Sequence, residues 1–322
     1  MFQKGAKLII RPPRSTYDLT KLPLIAEVPN FGVIQRTSLP FSNNRGQTMY
    51  GSLYKAPNPI VDACIIYLHG NASNQLEGRF LVSLFCPIGI SVFCFDFAGC
   101  GCSDGKYISL GYYENQDLDV VIDMLETQFG FHQFLLWGRS MGASVSILAL
   151  ERSEKIKAAV VDSPYISIRS LIKQLGRARK VPDWFIKTST ENVRKKILEK
   201  ASFDIYEVSP LEKVSNITKP ILFIHGIDDD FVIKRNSEIL YDRCNSEYKE
   251  IQLVPGEHDT NRPPETIKYA TTFLCKAVGL NIQFAKPKDS DKTETNISNE
   301  AQSSKQHFNN VNDMLHKMKK SC

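Results

Sequence analysis

A chain of 322 residues with 42% apolar and 23% charged side chains can bury a large core, and its composition is neither fibrous nor that of a wholly disordered protein. Its 40 Lys and Arg outnumber 35 Asp and Glu by only five, and in the linear sequence this excess looks scattered, which argues against a nucleic-acid partner. No apolar run approaches the ~18–20 residues that span a bilayer, and the eight cysteines show no paired CxxC spacing, so neither a membrane span nor a zinc site is expected.

The start of the chain, Met1 to Arg14, lacks the long apolar stretch of a secretory signal, and Phe2 stands where myristoylation needs glycine. The expected location is the cytosol, with buried thiols kept reduced. Residues 1–26 read as an N-terminal extension. From residue 27 the pattern changes. Gly32–Phe41 and Gln47–Tyr54, separated by a polar Ser-Asn-Asn-Arg-Gly turn, predict an antiparallel hairpin. Six strands follow, at Cys64–Leu68, Ser91–Phe95, Phe134–Trp137, Ala158–Val161, Ile221–Ile224 and Glu250–Leu253. Several are continuous in β-branched, aromatic or large apolar residues, as strands covered on both faces tend to be. Helical periodicity lies between and after them, near 77–86, 114–128, 141–152, 234–244 and 263–277.

This alternation predicts an α/β fold: a mostly parallel sheet flanked by helices, within a domain covering 27–280. An insertion at about 165–210 is longer than one crossover helix requires and reads as a small helical cap. Its apolar residues, Leu171, Ile172, Leu175, Val181, Trp184, Phe185 and Ile186, are expected to line in part an acyl groove above the site. Residues 281–322 are polar and predict a disordered tail, with one short amphipathic helix over Phe308–Met318.

Chemistry concentrates at strand ends. Gly138-Arg139-Ser140-Met141-Gly142 follows an apolar strand and opens a helical run, the strand–turn–helix context of a nucleophile elbow. A serine hydroxyl needs a base. Of six histidines, His69 and His225 end strands, His132 precedes one, and His307 and His316 lie in the tail. His258 alone occupies a loop between the last strand and the last helix, where a Ser–acid–His chain order wants it. The acid falls within Asp228-Asp229-Asp230, and Asp229, three residues after Gly226, ranks first. Asp162 at another strand end competes with it. His69-Gly70-Asn71-Ala72 can aim the backbone N–H of Asn71 at the point served by the N–H of Met141, a pair suited to an oxyanion. In Asp96-Phe-Ala-Gly99-Cys-Gly101-Cys-Ser-Asp104-Gly105, the glycine spacing and the absence of a following helix argue against a phosphate cradle.

Together these segments resemble the α/β-hydrolase superfamily over residues 27–278. Within it they resemble the eukaryotic α/β-hydrolase-domain proteins that include protein depalmitoylases, and Arg11-Pro-Pro-Arg-Ser-Thr-Tyr17 resembles that group's Pro-Pro-x-x-x-Tyr stretch. The resemblance implies acyl-ester or acyl-thioester hydrolysis, with an acylated protein among the candidate substrates, no cofactor, and a peripheral membrane contact left open. The cysteine tract that anchors membrane-bound members has no counterpart in residues 1–30. A peptidase or small-ester esterase on the same scaffold is the alternative within enzymes, and a catalytically dead binding module the alternative outside them. The tail reading carries a direct expectation. Deleting residues 286–322 leaves melting temperature and kcat unchanged, since a polar, aromatic-poor segment buries little; a large drop in melting temperature would show that it docks on the body.

Overall fold

A computed structural model describes residues 6–282 apart from Leu8 and Arg179. The predicted tail, with its Phe308–Met318 helix, lies outside the described residues. Within them, strands β1 (Ile25–Val28), β2 (Gly32–Ser42), β3 (Thr48–Tyr54), β4 (Ala63–Leu68), β5 (Ser91–Phe95), β6 (Gln133–Arg139), β7 (Ile156–Asp162), β8 (Ile221–Gly226) and β9 (Lys249–Val254) form one sheet. The order is β1-β2-β3-β5-β4-β6-β7-β8-β9. Pairings among β1, β2, β3 and β5 are antiparallel, and every pairing from β5 through β9 is parallel.

The hairpin forms in the predicted place, with Ser42 opposite Thr48, and joins β5 through β3. Strand β1 has no counterpart in the sequence reading. It is four residues long, on the sheet edge, and mostly exposed, so it carries no hydrophobic signature. Strands β4 and β5 are buried at every position. Their side chains alternate between two cores: Ile66, Leu68, Phe93 and Phe95 face one side, and Ile65, Tyr67, Val92 and Cys94 the other.

Helices α1 (Phe80–Phe85), α2 (Tyr112–Phe129), α3 (Met141–Arg152), α4 (Ile168–Ala178), α5 (Asp183–Ala201), α6 (Arg235–Arg243) and α7 (Pro264–Lys276) surround the sheet. Residues from α2 and α3 contribute to one core and residues from α1 and α7 to the other. The helix expected near 77–86 is split: Gln75–Gly78 is a 3₁₀ turn, and α1 begins only at Phe80. Helix α2 is defined by chemistry at both ends. Glu114 accepts the N–H of Gly111 at 2.8 Å, and Gly130 ends the helix in the left-handed conformation at φ 74°.

The insertion is the pair α4–α5, packed through Gly176, where a Cβ would lie 2.7 Å from Ile186 Cδ1. Leu171 and Ile186 are buried, and Ile172 and Leu175 pack onto the main core. The apolar surplus of the insertion therefore holds it to the body. Trp184, expected to face the site, points instead to solvent at 71% exposure. The N-terminal extension is part of the same body. Ala6 and Ile10 sit in the core, Arg14 donates to the carbonyls of Ser103 (2.9 Å) and Gly105 (2.5 Å), and Tyr17 Oη donates to Asp96 Oδ2 (2.7 Å).

Candidate active site

Three side chains meet above the carboxyl ends of β6, β8 and β9. Ser140 occupies the turn between β6 and α3 with φ 51° and ψ −110°, a conformation that L-residues rarely adopt. The turn is forced by close approach on both sides. A Cβ on Gly138 would lie 2.2 Å from Gly142 O, and one on Gly142 would lie 1.9 Å from Leu68 O at the end of β4. Only glycines allow helix α3 to start this close to the sheet. Ser140 N donates to Asp162 O at 2.8 Å, which ties the turn to β7.

His258 follows β9. Its Nδ1 lies 2.6 Å from Asp229 Oδ2 and its Nε2 lies 3.1 Å from Ser140 Oγ. Because the carboxylate can only accept, the ring proton belongs on Nδ1, and Nε2 keeps the lone pair facing the serine hydroxyl. Asp229 is buried and accepts three hydrogen bonds, with a fourth polar contact beside them. Its Oδ1 accepts from the N–H groups of Phe231 (3.0 Å) and Val232 (2.8 Å), and its Oδ2 faces His258 and His225 Nε2 (3.3 Å). Burial opposes its ionisation, but the hydrogen bonds it accepts outweigh that and hold the carboxyl well below the usual range. His225 is itself oriented: Nε2 donates to Val232 O at 2.6 Å and Nδ1 faces Ser237 Oγ at 2.7 Å.

The competing acids are elsewhere. Asp228 and Asp230 are exposed, and Asp228 exchanges hydrogen bonds with the backbone of Gly256. Asp162 is buried against Arg262, whose Nη2 donates to Oδ1 at 2.8 Å and whose Nε lies 3.0 Å from both oxygens. Burial would raise the Asp162 carboxyl, yet the Arg262 and Arg139 guanidinium groups hold it below its ordinary value.

Gly70 lies at the mouth of the turn, with its Cβ position 3.9 Å from Ser140 Cβ. The backbone N–H groups of Asn71 and Met141 have no acceptor among the described residues, and that of Met141 is the first of helix α3, where the helix dipole adds partial positive charge. His69 turns out to be a positioning residue. Its Nδ1 donates to Gly70 O (2.8 Å) and its Nε2 accepts from Phe97 N (3.1 Å), fixing both the tautomer and the path of the Gly70–Asn71 loop.

Residue spacing carries no sign of the two arginines and one glutamate that brace these loops. Arg139 Nη2 donates to His258 O at 2.5 Å, and its Nε lies 3.9 Å from Glu77 Oε1. Glu77 Oε2 in turn accepts the N–H of Gly70 at 3.1 Å. One ion pair thus joins the His258 loop to the Gly70–Asn71 loop. Arg262 also donates to Glu257 O at 3.1 Å, directly before His258. The variable position of a G-x-S-x-G motif and an arginine four residues beyond a histidine have no intrinsic signature. Their roles arise from folding.

Residues 59–211 match the family model described as serine aminopeptidase S33, a span that includes Asn71, Ser140 and Met141 and ends before Asp229. The protein aho-3 of Caenorhabditis elegans, an α/β-hydrolase domain-containing protein, is 26% identical over 78% of this chain and 71% of its own. The mouse α/β-hydrolase domain-containing protein 17C is 26% identical over 63% of this chain, which spans 57% of that relative. The esterase Pf2001 of Pyrococcus furiosus shares the fold, with a TM-score of 0.63 at 23% identity over 83% of this chain and 99% of that one. The chain has the α/β-hydrolase fold and resembles the proteins of that superfamily. Within that superfamily it resembles the α/β-hydrolase-domain proteins.

The Asp162–Arg262 pair is expected to hold the loops rather than touch substrate. Arg262→Ala leaves a buried carboxylate unpaired, and a loss of about 3–5 kcal/mol in chemical denaturation is expected. Since folding depresses the Asp162 titration, the pair's stabilisation is present above the ordinary carboxylate range, roughly pH 4, and is lost as pH falls below it. Urea midpoints for wild type and Arg262→Ala that differ equally at neutral and strongly acidic pH would contradict this role.

Proposed function

We propose that this hydrolase-fold chain is a serine hydrolase that cleaves acyl esters or thioesters through an acyl-enzyme on Ser140. The observation that carries the reading is the continuous hydrogen-bonded line from Asp229 Oδ2 through His258 to Ser140 Oγ, at 2.6 and 3.1 Å. His258 Nε2 takes the hydroxyl proton as Ser140 Oγ attacks the substrate carbonyl. Asp229 holds the imidazole in the required tautomer and balances the imidazolium as it forms. The N–H groups of Asn71 and Met141 receive the negative charge that develops on the carbonyl oxygen. His258 then protonates the leaving group, and water releases the acyl group by the same base. Atoms balance without a metal or organic cofactor.

The expected substrate is an ester or thioester, and an acylated protein remains a candidate through the resemblance to the depalmitoylase-containing group. The match to the serine aminopeptidase model keeps an amide-cleaving alternative on the same residues. The two are separated by comparing kcat/KM on p-nitrophenyl esters, acyl thioesters and aminoacyl amides. A preference for amides would favour the peptidase.

Ser140→Ala is expected to abolish fluorophosphonate labelling and to lower kcat by about 10⁶ with folding unchanged. Retained turnover in the pure variant would remove Ser140 from the mechanism. Asp229→Asn is expected to cost about 10⁴ in kcat, because the amide favours the wrong imidazole tautomer. Asp228→Asn and Asp230→Asn, at exposed positions, should leave kcat within a few-fold of wild type.

A further inference from the structure

The cap holds a charge concentration that the small net charge of the whole chain hides. Residues 165–201 contain ten Lys or Arg against three Asp or Glu, a surplus of seven. The whole chain has a net charge of only +5, so everything outside this segment is on balance acidic by two. The positive excess is therefore not scattered, as the whole-chain count suggested, but concentrated in this one segment.

Within the cap, Arg169, Lys173 and Lys187 line one groove of about 270 Å³ together with Trp184 and Tyr206. The acids nearby are already engaged. Asp183 pairs with Arg177 at 2.5 Å, while Glu191 accepts from the Tyr206 hydroxyl and lies 3.3 Å from Arg194. Arg169, Lys173 and Lys187 make no ion pair among the described residues, although Arg169 stacks over the Tyr206 ring at 5.0 Å. At the rim stand Trp184, 71% exposed, and Phe185, 38% exposed, in edge contact at 5.7 Å. Two adjacent aromatic rings held in water beside unpaired cations leave apolar surface and charge uncompensated at one place.

We propose that this surface of the cap docks on the anionic face of a lipid bilayer, with Trp184 and Phe185 seated at the headgroup–acyl boundary and Arg169, Lys173 and Lys187 against lipid phosphates. Indole and phenyl rings favour that boundary, and lysines beside them draw on the negative surface potential of acidic lipids. A single-stranded nucleic acid would also meet cations and stacking rings. However, the groove is one short patch rather than a track, and its two most exposed rings sit side by side at the rim. No helix among the described residues is long and apolar enough to cross a membrane, so the contact is superficial. The docked helix α4 is also close to the base: Gln174 Nε2 donates to Phe231 O at 2.8 Å, and the Phe231 ring lies 5.1 Å from that of His258.

The test uses binding alone, so it stands or falls apart from acyl hydrolysis. The chain has two tryptophans, and Trp137 is buried in the sheet, so a change in emission on adding vesicles reports Trp184. Full-length Ser140→Ala protein is mixed with vesicles of phosphatidylcholine alone or of equimolar phosphatidylcholine and phosphatidylserine. A blue shift and co-sedimentation are expected with the anionic vesicles only, weakening as ionic strength rises. With each lysine contributing about fivefold in partitioning, Lys173→Ala/Lys187→Ala should lower binding by about 30-fold, and Trp184→Ala should abolish the shift and weaken co-sedimentation. All three positions are exposed, so the variants should fold as wild type does. Equal binding to neutral vesicles, or anionic binding unchanged in the lysine variant, would overturn the assignment. Retention on polyuridylate with no response to vesicles would overturn it in favour of a nucleic-acid surface.

Discussion

The site depends first on the close approach of helix α3 to the end of strand β4. Gly142 brings the helix so near Leu68 O that no side chain could intervene, and that contact fixes the distance between the Ser140 turn and the Gly70–Asn71 loop. The strained φ of Ser140 follows from the same constraint, because the chain must reverse from strand to helix within one residue. The sheet supplies the rigidity that sustains this strain. Strands β4, β5 and β6 are paired along their length and packed on both faces, so the cost of one unfavourable residue is spread over a large core.

Around that contact the loops are joined by charge rather than by apolar packing. Arg139 leaves the serine turn to hold His258 by its carbonyl, and Glu77 holds Gly70 by its N–H. Arg262 reaches from the loop after His258 to Asp162, whose own carbonyl accepts from Ser140 N. Each bridge satisfies backbone groups that an irregular loop would otherwise leave unpaired in a partly dry site. Strand ends thus deliver the reacting side chains, and two guanidinium groups set the spacing between the loops that bear them.

Much of this was legible in the sequence because buried parallel strands and strand-end motifs have strong local signatures. The apolar runs at Cys64–Leu68 and Ser91–Phe95 are continuous, and their observed bounds differ by one residue or none. Ser140 is set off by its flanking glycines, and His258 by its place between the last strand and helix. Strand β1 was missed because four residues, of which only Ala26 and Val28 turn inward, are too few to show a period. The cap was placed correctly but read incorrectly. Apolar residues at helical spacing do not reveal which neighbour they face, and Leu171, Ile172 and Ile186 are spent on packing while Trp184 is left in water. Asp229 was ranked first on its offset from Gly226, but the three donors that hold it come from residues 231, 232 and 258, a convergence that only the fold brings about.

The N-terminal strap has a consequence for how the protein is made. Arg14 and Tyr17 bond to partners 79 to 91 residues further along, at Asp96, Ser103 and Gly105. During synthesis the strap therefore leaves the ribosome before strand β5 and the loop after it, and it has no place to settle until they have emerged. Asp96 meanwhile is fully buried in the finished protein and accepts from Tyr17, Gln75 and Cys102. The earlier-made strap is thus the closing piece of a buried polar knot, and the loop that begins at Asp96 stays incompletely bonded until that strap returns to it.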